Sequence, residues 1–468
     1  MFKAIFTNSF GILFSRILGF IRDLLTASFL GANIYSDIFF VAFKLPNLFR
    51  RIFAEGAFSQ TFIPSFARSR HKGAFLAYIF TLFLSIILFI TLLVDLFPSI
   101  ATRAIAIGFD TKTIELATPY VAINFWYLPL IFSVTFIAAL LQYKHHFATT
   151  AFGTSLLNLS LIGALLLAKG MKAEVIVTYL SFGVVIGGLL QLLAHLIALK
   201  KLGLCRIVLG GFIHLQEKKS KIKEDVTKFK QEFFPAIWGN STAQLSAFLD
   251  TWLASFLSAG AISYLYYANR VFQLPLALFA IATSVAIFPK VSRYLKNSDT
   301  AKAKSYMERA FWFLAYLLTF SSIVGIVLSD EIVWLLFEHG AFDATDAKNT
   351  ALVLQMYLLG LLPYGLGKLF SLWLYASQRQ LDAAKIASFS LGSNILFSLA
   401  LIAPFGAAGL ALASTIAGFV SFGLTLRTFG VYDFLLYLRS KHTLLLLIGV
   451  IVLAIITLMF KSFIDQYI

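Results

Sequence analysis

The sequence predicts an all-α, polytopic membrane fold, on three observations. The 468-residue chain is 59% hydrophobic and only 13% charged, with mean hydropathy +0.86. That is too little polar surface to keep a soluble protein of this length in water. Its apolar residues gather in runs of about twenty, the length that crosses a hydrocarbon core as a helix. Fifty Phe residues suit lipid-facing helices and aromatic belts.

Window reading places about thirteen spanning helices. Their spans are 5–30, 35–64, 74–97, 117–142, 147–168, 174–200, 232–257, 261–289, 305–329, 349–376, 381–404, 406–428 and 442–463. The first segment carries Arg16, Arg22 and Asp23 and lacks a small-residue cleavage site. It reads as a retained helix rather than a signal peptide. Loop charge then sets orientation. Arg68, Arg70 and Lys72, then Lys144, then Lys200 to Lys230, then Lys290, Arg293 and Lys296, then Arg379, then Arg427, Arg439 and Lys441 fall in alternate loops. The other loops are poor in base, such as the stretch with Asp330, Glu331, Glu338, Asp343 and Asp346. A cytoplasmic N-terminus puts every basic loop on one side. An odd helix count leaves the C-terminus outside.

Residues 202–231 form one long basic linker whose lysines alternate with Ile222, Val226 and Phe229 at helical spacing. Two readings are open for it: a cytoplasmic amphipathic segment near anionic headgroups, or a solvated linker. It divides the chain into an N-lobe (1–201, six helices) and a C-lobe (232–428, six helices), followed by a C-terminal segment (429–468) with the thirteenth helix. The halves share ordered markers. Ala27-Ser28-Phe29-Leu30 matches Ala254-Ser255-Phe256-Leu257, Leu45-Pro46 matches Leu274-Pro275, and Pro64 with Arg68 matches Pro289 with Arg293. An even number of helices between copies makes the repeat parallel, with its pseudo-two-fold along the membrane normal.

Cationic side chains lie inside these apolar segments: Arg16, Arg22, Lys44, Arg50, Arg51 and Arg270. A charge at the centre of a spanning helix costs about 2.5–3.5 kcal/mol, so six facing lipid would cost on the order of 15–20 kcal/mol. They must face a hydrated cavity or pair internally. A cationic cavity accommodates an anion. On the second helix, Asp37, Lys44, Arg51 and Glu55 repeat at seven, seven and four, with Asn47 three beyond Lys44. At 100° per residue they share one narrow polar face. Arg270 has Tyr266 and Gln273 on its own face. Guanidinium forks capture phosphate oxygens in pairs, so several Arg with one Lys suit a diphosphate better than a carboxylate. The structural alternative stays open at this point. Arg22 with Asp23, and Arg51 with Glu55, can be ion pairs between packed helices, and Arg50 and Arg51 can snorkel to the interface. Asp250, Asn394, Ser398 and Ser414 form a candidate monovalent-cation site, or polar contacts between helices.

Other classes find little support. The net charge of +16 sits in loops, which disfavours a nucleic-acid partner. The single Cys205 excludes an internal disulfide, and His145-His146 has no further ligand at metal spacing. No Walker loop, HExxH or GxSxG occurs; Gly360 to Lys368 has the wrong spacing. No enzyme activity and no cofactor are expected. Na+ or the membrane potential are the candidate driving forces.

The stretches FSRILGFIRD (Phe14 to Asp23) and SDIFFVAFKLPNLFRRIFAEGAFSQTFIP (Ser36 to Pro64), with the weaker YYANRVFQLP (Tyr266 to Pro275), resemble the MurJ (MviN) lipid II flippases of bacteria. The resemblance implies the multidrug/oligosaccharidyl-lipid/polysaccharide exporter superfamily fold, with two six-helix lobes around a central cationic cavity. It implies transfer of undecaprenyl-diphosphate-linked peptidoglycan precursor to the outer leaflet of the cytoplasmic membrane, by alternating access. Carried over by residue, the family's functional positions fall on Arg16, Arg22, Asp37, Arg50, Arg51 and Arg270, and Asp250 matches an acidic position associated with cation binding. Lys44 and Asn47 would line the path, with Asp23, Asp37, Glu55 and Gln273 as gate or support. Partners would be the lipid-linked precursor, membrane lipids and cell-wall synthesis proteins. The chain departs from the family at Asn269, often acidic there, at Ser398, commonly Asp or Asn, and in reading one helix short of fourteen. Two alternatives remain: another multidrug or polysaccharide-lipid exporter of the superfamily, and a non-transporting scaffold for cell-wall synthesis.

Overall fold

The computed structural model describes residues 2–52, 58–464 and 466. Among the described residues the long regular elements are all helices, and the chain forms two compact units, Met1–Ala259 and Gly260–Ile468.

In the first unit, α1 (Phe2–Leu30) packs on α8 (Ala148–Leu167), and α8 on α9 (Ala173–Lys201). The α1 contact is close because Gly11 and Gly19 leave room: a Cβ on Gly11 would press on Ala151 and Phe152, and one on Gly19 on Asn158. With buried Ser15, Arg22 and Thr26 these residues recur every three or four positions, a single helix stripe. Asn33 starts α2 (Ile34–Ile52), its Oδ1 accepting from the Tyr35 and Ser36 amides at 2.9 and 3.3 Å. This satisfies donors that a helix start leaves unpaired.

α3 (Phe58–Arg68), α4 (Lys72–Leu96) and α7 (Tyr127–Tyr143) enclose a phenylalanine core. Phe58, Phe62 and Phe66 are buried along one face of α3, and Phe62 meets Phe136 at 4.9 Å. Between α4 and α7 lie the short α5 (Pro98–Ile105) and α6 (Thr111–Phe125), the latter capped by the Asp110 carboxylate, which accepts from the Thr113 amide. The basic linker is mostly helical: α10 (Cys205–Ile213), α11 (Leu215–Lys218), a 3-10 turn at Ser220–Ile222, and the opening turns of α12 (Lys223–Ala254). α12 therefore begins nine residues before the span expected from position 232. The reason is visible in the core, where Phe229 and Phe233 insert into the aromatic cluster, Phe233 lying 5.2 Å from Phe83 and Phe229 6.1 Å from Phe75. Burying those rings makes the lysine-rich stretch helical despite its polarity.

In the second unit, α13 (Ala261–Pro275) runs through a π-helical turn (Leu276–Ile281) into α14 (Ala282–Lys296). α15 (Thr300–Val327), α16 (Ser329–Phe337), α17 (Ala344–Leu358) and α18 (Leu361–Ala376) follow. α19 (Gln380–Phe429) is kinked at Gly406, whose φ of 55° and ψ of −132° only glycine adopts cheaply. α20 (Val431–Leu438) leads to α21 (Lys441–Ile464), which packs on α15 and buries only Thr457.

Among the described residues, eight helices are long and apolar enough to cross a membrane: Lys72–Leu96, Thr111–Tyr143, Ala148–Leu167, Ala173–Lys201, Ala261–Lys296, Thr300–Val327, Gln380–Phe429 and Lys441–Ile464. The pair Ala344–Leu358 and Leu361–Ala376, bent by 41°, makes a ninth if read as one span. The expected thirteen are thus not all recovered. Gln380–Phe429 runs through two expected spans, and the charge-bearing segments at 5–30, 35–64 and 232–257 are not among the eight. The chain is a multi-pass membrane protein.

Candidate functional site

Each unit carries its own cationic constellation. In the first, Arg22 of α1 is buried, at 9% exposure, beside Asp23 at 2%. Its Nε and Nη2 donate to Asp23 Oδ1 at 3.1 and 2.6 Å. Its Nη1 donates to Asn158 Oδ1 at 3.1 Å, and Asn158 Nδ2 donates to the Ser15 carbonyl at 2.9 Å. Arg22 is therefore both an ion-pair member and a tethered guanidinium, and the carboxylate beside it offsets the cost of burying its charge.

Arg16 differs. It stands one residue past Ser15, so about 100° around the helix, and is exposed. Among the described residues it makes no ion pair or side-chain hydrogen bond. A guanidinium in that state facing lipid would cost about 2.5–3.5 kcal/mol. A hydrated surface would remove that cost.

On α2, Asp37 is buried in the first helical turn, where the amide dipoles favour a carboxylate. Lys44 and Asn47 are half-buried further along, flanking Pro46. Glu55 and the side chains of Arg50 and Arg51 lie outside the described residues.

In the second unit, Arg270 of α13 is partly buried. Its guanidinium carbon lies 4.9 Å from the centroid of the Tyr266 ring, and its Nη2 donates to the Tyr266 hydroxyl at 2.7 Å. One tyrosine, a turn earlier, thus contacts this cation through both its ring and its hydroxyl. Gln273 is exposed and its amide donates to Asn269 Oδ1. Pro275 and the π-helical turn follow directly. Such turns put a local irregularity into a helix and recur at functional sites.

Asn394, Ser398 and Ser414 lie together: Asn394 Nδ2 donates to Ser414 Oγ at 2.9 Å and Ser398 Oγ donates to Asn394 Oδ1 at 3.1 Å. They join the two arms of α19 across its kink, and the Tyr364 hydroxyl donates to the Ser414 carbonyl at 2.8 Å. Asp250, the fourth candidate, lies on α12 of the first unit. Among the described residues no group of three His, Cys, Asp or Glu could hold a metal ion. The three second-unit residues hydrogen-bond to one another within α19.

Comparison with known proteins places this architecture. A family model described as lipid II flippase MurJ matches residues 26–468. A probable lipid II flippase MurJ of Helicobacter pylori strain J99 is 49% identical over 449 residues, 94% of this chain and 98% of that protein. The chain belongs to the MurJ family. A solved structure of lipid II flippase MurJ in an inward closed conformation superposes with TM-score 0.80 at 26% identity, covering 98% of each chain. An inward-facing multidrug resistance MATE family transporter of the MOP superfamily superposes with TM-score 0.68 over 94% of this chain and all of that one. At 12% identity that likeness shows the fold alone.

For a MurJ-family chain the residues missed in the sequence are informative. Asn158 holds Arg22 from 136 positions away, a distance no window can bridge. Its signal was an amide in the apolar run Leu156 to Leu161, where a polar group needs a partner. Asn269 was noted only as a departure, yet it engages Gln273.

Proposed function

We propose that this chain is a lipid II flippase, a transporter and not an enzyme. It moves the undecaprenyl-diphosphate-linked precursor from the inner to the outer leaflet of the bacterial cytoplasmic membrane by alternating access. The observation that carries the reading is the 49% identity to a probable lipid II flippase along 94% of the chain. Arg16 and Arg22 on the first unit and Arg270 on the second are the residues assigned to the diphosphate and sugar headgroup. Guanidinium groups suit this role because their forked donors match phosphate oxygens and stay charged at any working pH. Lys44, Asn47, Arg50 and Arg51 are assigned to the path, and Asp37 to a gate. The N-terminus is cytoplasmic in this reading, and proteins of cell-wall synthesis are its partners.

The test is a leaflet-resolved accessibility assay for lipid II in liposomes carrying the purified protein. Wild type should transfer lipid II well above empty liposomes, and Arg16→Ala should lower the rate at least tenfold while remaining monodisperse and helical. Wild type indistinguishable from empty liposomes would overturn the function. Normal transfer by Arg16→Ala would remove Arg16 from the binding role.

A further inference from the structure

We infer that Asn158 is a positioning residue for the anion-binding arginines of α1, an inference that rests on the headgroup role assigned to them above. Asn158 is 4% exposed on α8, amid leucines. An amide left unpaired there would bear its full desolvation penalty. It faces Gly19 of α1, whose added Cβ would stand 3.3 Å from Asn158 Nδ2. Both ends of the amide are used. Arg22 Nη1 donates to its oxygen at 3.1 Å and its nitrogen donates to the Ser15 carbonyl at 2.9 Å. The orientation is unambiguous, because a guanidinium only donates and a carbonyl only accepts.

Ser15 and Arg22 are seven residues apart, about two helical turns. One amide on α8 therefore fixes the axial register of α1 and the rotation of the Arg22 guanidinium. Arg16 follows Ser15 directly, so its direction is set by the same contact. Asp23 grips Arg22 through Nε and Nη2 and offsets its charge. Asn158 grips Nη1 and offsets none of it. A neutral acceptor orients the cation without cancelling its field, which a site for a diphosphate requires. A carboxylate in its place would put a second negative charge against Arg22 and weaken anion binding.

The experiment uses full-length protein in nanodiscs and measures affinity for undecaprenyl diphosphate and undecaprenyl monophosphate. Wild type should prefer the diphosphate, and Asn158→Leu should lose at least fivefold of that preference. In an Arg22→Gln background the same substitution should change the remaining preference by less than twofold, because Asn158 acts through Arg22. A purely structural role would lower affinity for both lipids alike, and that result overturns the inference. Undiminished preference in Asn158→Leu, further loss in the Arg22→Gln background, or a wild type without preference overturns it too. Should Asn158→Leu fail to fold, Asn158→Asp keeps the size and the acceptor, and its added charge should remove at least fivefold of the preference. Retention of the wild-type preference by Asn158→Asp overturns the inference as well. Lipid II transfer by wild type in liposomes is scored separately: its absence sinks the transport reading and leaves the binding comparison standing.

Discussion

Gly211 of α10 rests against the backbone of Gly73 in the first turn of α4, with no room for a Cβ between them. The preceding residue, Gly210, has open space where its Cβ would lie. Adjacent glycines on one short helix thus have opposite requirements. Gly211→Ala should destabilise by about 1–3 kcal/mol, the usual cost of overpacking. Gly210→Ala should be neutral or stabilising by up to about 1 kcal/mol, from the better helix propensity of alanine. Thermal melting of the two purified variants in the same detergent checks this. Equal shifts would mean that α10 is not seated on α4.

Two kinds of contact anchor the opening of α12, and they differ in strength. Arg68 Nη2 reaches both Glu232 oxygens at 2.8 Å, but the side chains are 58% and 43% exposed. A pair so open to solvent contributes about 0.2–1 kcal/mol. Phe229 is fully buried among the α3 and α4 rings, and truncating such a ring costs about 3–5 kcal/mol. Glu232→Gln should therefore leave the melting temperature nearly unchanged, and Phe229→Ala should lower it by many degrees. Limited proteolysis between residues 214 and 228 should speed up only in Phe229→Ala.

Arg270 is held by Tyr266 through the ring and the hydroxyl together. Tyr266→Phe keeps the ring and removes a hydrogen bond to a charged group. The expected loss in lipid II transfer is about tenfold, the rate equivalent of roughly 1.5 kcal/mol. Arg270→Lys keeps the charge but not the fork, and should lose more than Tyr266→Phe. Arg270→Ala should abolish transfer. The order of the three rates in the liposome assay decides the matter, and Arg270→Lys at wild-type rate would refute the need for a guanidinium.

Charge in apolar segments was legible in the sequence because bilayer physics penalises it wherever it has no purpose. Arg16, Arg22 and Arg270 stood out for that reason alone. What each does was not legible. The pairing of Arg22 with Asp23 was one of two open readings for adjacent residues, and its tether to Asn158 joins α1 to α8 across 136 positions. Asn394, Ser398 and Ser414 were legible as cation ligands or as polar contacts between helices, but not which oxygen accepts and which group donates between the arms of α19, because rotamers settle that.

Hydrophobic run length and loop charge determined the class of molecule: a helical, many-times-spanning membrane protein with cations inside its apolar segments. These follow from one-dimensional quantities, since crossing a bilayer requires apolar length and orientation follows the count of lysine and arginine in loops. Only the tertiary structure decided where helices start and break, as when two phenylalanines draw a lysine-rich linker into α12 or Gly406 bends a fifty-residue helix. Only it separated an exposed Arg16 from a buried, tethered Arg22 six residues along the same helix. The reason is that burial and pairing depend on the neighbouring helix, and the neighbour of α1 lies far along the chain.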